Sequence, residues 1–145
     1  MVDSINKAWH WLGFHATKII GTNDFGNVIF KTENGEFWRL CPEEISCKKI
    51  AASQSELDHL YHDSQFIEDW EMTNFKRLAK SELGELHKNQ KYCLKKPAAI
   101  GGKYVASNIG KISFEELISF SGSLGFQIKD LKDGQKIKLN IQRET

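Results

Sequence analysis

The hexapeptide Asp58-His59-Leu60-Tyr61-His62-Asp63 gathers the side chains of this chain best suited to chemistry. Two imidazoles three residues apart fall on one face of a helix. With the neighbouring carboxylates they could hold a divalent metal that activates water for attack on a phosphate ester. His59, His62 and Asp63 are therefore one candidate catalytic set. The competing reading is a polar helix flank facing water. A second stretch, Lys96-Pro97-Ala98-Ala99-Ile100-Gly101-Gly102, could be a phosphate cradle or only a bend. A phosphate loop needs four residues between its glycines and then Lys-Ser or Lys-Thr; a dinucleotide fingerprint needs G-x-G-x-x-G opening a helix. Neither spacing is present. Pro97, Gly101 and Gly102 are expected instead to form a structural turn, with at least one glycine at positive φ.

The His62-Asp63 pair resembles that of metal-dependent HD phosphohydrolases, which add an upstream His and a distant Asp. Those proteins are all-helical and usually larger, whereas this chain carries clear strand signals. No G-x-S-x-G is present, and no Cys-His pair is singled out.

Charge is more informative. Net charge is +1, which gives no hint of direct nucleic-acid binding. Yet from Ala51 to Phe75 there is no Lys or Arg, while Glu56, Asp58, Asp63, Glu68, Asp69 and Glu71 all fall there. Lys76, Arg77, Lys80, Lys88, Lys91, Lys95 and Lys96 follow. The acidic strip, interleaved with Tyr61, Phe66 and Trp70, is either a surface for a basic partner or a solvated helix face whose aromatics are core.

The elements that must position these groups are legible in part. The 145 residues favour one domain, residues 1–145, with no repeat or linker. No apolar run approaches the roughly 20 residues of a membrane helix. The start, MVDSINKAWHWLGF, lacks a long apolar segment, so a cytoplasmic protein is expected. Cys41, Cys47 and Cys93 fit free thiols in a reducing compartment. Ile5, Ala8, Trp9 and Leu12 predict a helix over about 4–13 that stops at Gly13, with Trp9 and Trp11 as packing groups. Asn34-Gly35 between two β-rich runs predicts a two-residue hairpin. That loop would pair Thr32 with Phe37 and Lys31 with Trp38, placing Ile29, Trp38 and Leu40 on one face and Val28, Phe30 and Phe37 on the other. Ser53-Gln54-Ser55-Glu56 is a capping box for a helix whose Leu57, Leu60 and Tyr61 face inward. Two further helices follow, one with Phe66, Ile67 and Trp70 and one from about Met72 to Gly84. Ser113-Phe114-Glu115-Glu116 opens another helix, weakened by Gly122 and Gly125. Asp133-Gly134 marks a turn, and the alternation from Lys136 to Ile141 predicts a strand. The fold class is α+β, an antiparallel sheet packed with several helices.

Leu83-Gly84-Glu85-Leu86, Lys91-Tyr92-Cys93 and Pro97 to Gly102 form a series of short motifs, continued by Asn108 to Ile112, Ile118 to Leu124 and Asp130 to Ile137. The series resembles the C-terminal domain family of type VI secretion DNase-immunity proteins, over roughly residues 25–142. Members often carry a GAD-like domain in front; none fits before residue 25, and the N-terminal helix stands in its place. Two departures are Cys93-Leu94 after Tyr92, where the family has an aromatic, and Lys132 in place of a turn proline. These motifs are mostly Gly, Pro and apolar residues, so they specify a fold and carry no chemistry. The resemblance implies a non-enzymatic immunity protein without metal or cofactor. Its partner would be a cognate secreted toxin, many of which are nucleases, with no direct contact to nucleic acid or membrane. Glu56, Asp58, Asp63, Glu68, Asp69 and Glu71 are the expected partner-binding residues.

Overall fold

The computed structural model describes residues 1–131. The expected turn at Asp133-Gly134 and strand at 136–141 lie outside the described residues. Four consecutive strands, β1 (Ala16–Thr22), β2 (Val28–Thr32), β3 (Phe37–Cys41) and β4 (Ser46–Ala51), form an antiparallel sheet in sequence order. A second antiparallel pair joins β5 (Gln90–Leu94) to β6 (Ile109–Ser113). Five helices surround them: α1 (Val2–Trp9), α2 (Gln54–Leu60), α3 (Ser64–Glu71), α4 (Thr73–Leu83) and α5 (Phe114–Ile128). The α+β class is as expected.

The hairpin register differs from the expected one by a single residue. Val28 pairs with Leu40, Phe30 with Trp38, and Lys31 with Phe37. A two-residue type I′ loop needs positive φ at both Asn34 and Gly35. Only Gly35 has it, at +78°. The loop therefore closes over three residues, with Thr32 N–H donating to the Glu36 carbonyl (2.9 Å) and Gly35 N–H to that of Thr32 (3.0 Å). The slip regroups the faces. Val28, Phe30, Leu40 and Trp38 now share the face covered by Ile5, Trp9 and Ile118 from α1 and α5. Ile29 and Phe37 share the other, covered by Leu57, Leu60, Phe66 and Trp70 from α2 and α3. Both faces are covered, as the apolar pattern suggested. A third cluster, Phe25, Ala79, Tyr92 and Ile109, ties α4 to the small sheet.

Each helix boundary has a local cause. The N-terminal helix begins earlier than expected, at Val2, and ends in a 3-10 turn (His10–Leu12) closed by Gly13 at φ +88°. Ser53 and Ser113 accept from Glu56 N–H and Glu116 N–H, each at 3.2 Å. Glu56 answers by accepting from Ala52 N–H at 2.6 Å, one residue earlier than the usual reciprocal bond. Tyr61 departs from the inward orientation expected of it and is 41% exposed. Asp63 caps α3 through Gln65 N–H (2.9 Å) and Phe66 N–H (3.4 Å).

The glycines that weaken α5 in sequence are the ones α1 lies on. A Cβ at Gly122 would stand 2.4 Å from the Ala8 carbonyl oxygen, and one at Gly125 would stand 3.0 Å from the Trp11 ring. Trp11 Nε1 donates to both the Ala8 carbonyl (3.1 Å) and that of Gly122 (3.2 Å), fastening the same crossing.

Gly122→Ala sets helix propensity, which gains about 1 kcal/mol, against a clash with backbone that cannot swing aside. The clash wins. The variant is expected to lose about 2 kcal/mol or more in urea unfolding, while Ser123→Ala, at an exposed position on the same helix, stays within about 0.5 kcal/mol.

Candidate functional site

The structure places all six acidic residues at exposed positions on α2, α3 and the turn between them. They are not equivalent. Glu56 and Asp63 carry capping bonds. Asp58 accepts from Gln54 Nε2 at 3.0 Å one turn away. Asp69 is bound at 2.6 Å by Arg39 Nη1, whose side chain is 11% exposed against 72% for the carboxylate. Glu68 and Glu71 make no side-chain hydrogen bond or ion pair among the described residues. Glu68, Asp69 and Glu71 also crowd the last turn of α3, which carries no basic residue. Negative charge there opposes the helix dipole, at about 0.3–1 kcal/mol per group.

His59, His62 and Asp63 do not assemble a metal site. The His62 ring bonds the Asp58 carbonyl at 2.7 Å, and the Asp63 carboxylate is committed to helix amides. Among the described residues no group of three or more His, Cys, Asp or Glu is placed to hold an ion. The cysteines are free thiols. Burial pushes Cys41 up to about 12 and Cys47 higher still, so neither is a thiolate near neutral pH.

A buried network that sequence reasoning missed lies beneath the acidic face. Asn27, fully buried, donates through Nδ2 to both carboxylate oxygens of Glu43 (3.0 and 2.8 Å). Its Oδ1 accepts from Arg39 Nε (3.2 Å) and Nη2 (2.9 Å). Arg39 then reaches Asp69, and its guanidinium lies 5.1 Å from the centre of the Trp70 ring and 6.0 Å from that of Phe66. Glu43 sits on a 3-10 turn (Pro42–Glu44) that ends at Ile45 in the left-handed region, φ +48°. That conformation costs a β-branched residue about 1–2 kcal/mol. Packing of Ile45 against the main core opposes that strain. Burial raises the Glu43 carboxyl to about 7, although the Asn27 bonds and Arg39 pull it down.

The Gly101-Gly102 turn is cramped. Gly101 has φ +97°, and a Cβ at Gly102 would lie 1.7 Å from the Lys96 carbonyl oxygen. Pro97 is buried, and its carbonyl accepts from Gly102 N–H at 3.0 Å. Nothing in this geometry turns a row of amides toward a phosphate. Among the described residues a basic groove of about 300 Å³ runs along α4, lined by Asp24, Thr73, Lys76, Arg77, Lys80 and Tyr92.

The family model described as "T6SS immunity protein Tdi1, C-terminal" matches residues 51–125, just over half of the chain. The chain belongs to this family of type VI secretion immunity proteins. The match spans α2 to α5 and so contains the acidic helices, the small sheet and the glycine turn. The fold is similar to the crystal structure of Atu4351 from Agrobacterium tumefaciens, with a TM-score of 0.54 at 19% identity over 83% of this chain. This chain spans 61% of that one's length. No curated protein matches. No helix among the described residues is long and apolar enough to cross a membrane.

Two stability predictions follow from these contacts. The folded-state Glu43 pKa, about 7, lies above its ordinary 4.5. The folded protein then binds more protons than the unfolded chain between those values, so stability falls as pH rises through that window. Melting temperature is expected to drop between pH 5 and pH 8, and Glu43→Gln should remove most of the drop. Gly102→Ala is expected to destabilise the protein more than Gly101→Ala, which costs about 1 kcal/mol for positive φ; urea unfolding of the pair checks the order.

Proposed function

We propose that this chain binds a cognate type VI effector in the cytoplasm and neutralises it by covering its active site or substrate path, and that the effector is a nuclease. The observation that carries this reading is the acidic face of α2 and α3. Its carboxylates are exposed, and those in the last turn of α3 stand where they weaken their own helix. Charge kept at a cost to the fold is charge suited to a partner. A nuclease cleft is basic because it receives phosphates, and a row of carboxylates can occupy it in their place. Family membership supports the inhibitory role. The nuclease target rests on charge complementarity.

The six residues divide into supports and contacts. Glu56, Asp63 and Asp69 hold the face together through the α2 and α3 caps and the Arg39 pair, so reversing them would mix folding with binding. Asp58, Glu68 and Glu71 are the cleaner contacts. Simultaneous change of these three to Lys is expected to slow association with the cognate effector by about tenfold or more. Dissociation should change little, the effect should shrink as salt rises, and protection of bacteria should fall. Unchanged association and unchanged protection in a folded triple variant would place the contact surface elsewhere.

A further inference from the structure

The segment from Lys96 to Asn108 is long, irregular and unusually well fastened. The Asn108 side chain alone makes three bonds across it. Its Oδ1 accepts from Lys96 N–H, and its Nδ2 donates to the carbonyls of Lys96 and Lys103, each at 2.9 Å. Backbone bonds add Lys95 N–H to the Asn108 carbonyl (2.7 Å) and Asn108 N–H to that of Val105 (2.9 Å). With Pro97 buried and Gly102 pressed on the Lys96 carbonyl, the backbone is fixed at both ends of the loop.

Between the exposed Lys96 and Lys103 on one side and Ser107 on the other, the loop displays an apolar pair. Tyr104 and Val105 are 43% and 44% exposed, the one adjacent pair of large apolar residues so exposed among those described. The Tyr104 ring stands edge-on to Phe75 of α4 at 5.2 Å, and its hydroxyl is bonded to the Glu44 carboxylate. Its orientation is therefore set before any partner arrives. A rigid aromatic with few rotatable bonds loses little entropy on binding, which is why such residues serve as interface anchors.

The pair is also tied to the elements that carry the acidic face. Phe75 lies one helical turn beyond the α3–α4 corner at Glu71-Met72. Glu44, which holds Tyr104, follows Glu43, and the Asn27–Arg39 network leads from there to Asp69. The apolar pair is thus linked to the end of α3 through Phe75 and to Asp69 through the buried network.

We infer that Tyr104 and Val105 are the apolar anchor of the effector interface, seated in an apolar recess beside the basic surface that the acidic face contacts. The inference rests on the reading of the chain as an effector-binding protein. Charge on α2 and α3 sets the rate of encounter; the Tyr104-Val105 pair sets how long the complex lasts.

The test uses the full chain and the cognate effector, inactivated at its catalytic site, with both rate constants measured. Tyr104→Ala and Val105→Asn are each expected to raise the dissociation rate by about tenfold or more, with association and its salt dependence within about twofold of the unmodified chain. Tyr104→Phe keeps the ring and should stay near the unmodified protein. If Tyr104→Ala does not fold, Val105→Asn decides alone, because Val105 is 44% exposed. Folded variants that release the toxin at the original rate overturn the anchor. If reversal of Asp58, Glu68 and Glu71 still slows association in that case, the effector-binding reading survives the loss. Failure of the unmodified chain to bind the toxin would remove both.

Discussion

Asn27 is a neutral amide held between a buried carboxylate and a guanidinium, and the attachment of α3 depends on it. No residue of α3 is fully buried. The helix meets the sheet mainly through Trp70 and Phe66, both lying against the Arg39 side chain. Arg39 can hold that position because Asn27 accepts two of its N–H groups and Asp69 accepts a third. Asn27 can accept them because its NH2 group is spent on Glu43. An aspartate at position 27 would lose the donor, and a leucine would lose both functions, leaving Arg39 and Glu43 without partners in a dry interior. The Asn23 side chain adds a bond to the Trp70 carbonyl at 2.9 Å, so the loop before β2 grips the same helix.

How much of this the sequence discloses depends on the range over which each feature is encoded. Caps are written in four residues, and Ser53 and Ser113 are legible for that reason. The acidic strip is legible because it is continuous in sequence. Edge strands are harder. β1 and β4 flank the sheet, and both carry register shifts and adjacent exposed residues, Thr17-Lys18 and Lys48-Lys49. Bulges and lysines protect an edge from unwanted pairing, and they also erase the alternation that marks a strand. The hairpin was visible, but its register turned on whether Asn34 would adopt positive φ, which the dipeptide alone does not decide. Gly122 and Gly125 speak against a helix by propensity and for a close helix crossing by packing, and only the position of α1 separates the two.

The network and the anchor were illegible for a different reason. Asn27, Arg39 and Glu43 each look like ordinary surface polar residues, and they meet only because β2, β3 and the turn after β3 are adjacent. Tyr104 looks like one more core aromatic until the loop around it is seen to be closed by Asn108. The family motifs within this region, rich in Gly and Pro, encode the closed loop and not the residues it presents. That division suits an inhibitor.

The crossing of α1 over α5 brings together segments that are far apart along the chain, Trp11 and Gly122 among them. A ribosome adds roughly 5–20 residues per second. The four-stranded meander pairs neighbours in sequence order and can assemble as it emerges. Until residues 114–128 appear, α1 has only the sheet to rest on, and Trp9 lacks the surface that Gly122 and Gly125 leave open for it. A nascent molecule therefore stays unsealed along α1 until α5 has been made, and a chain interrupted before α5 would expose that apolar flank to proteases and holding chaperones.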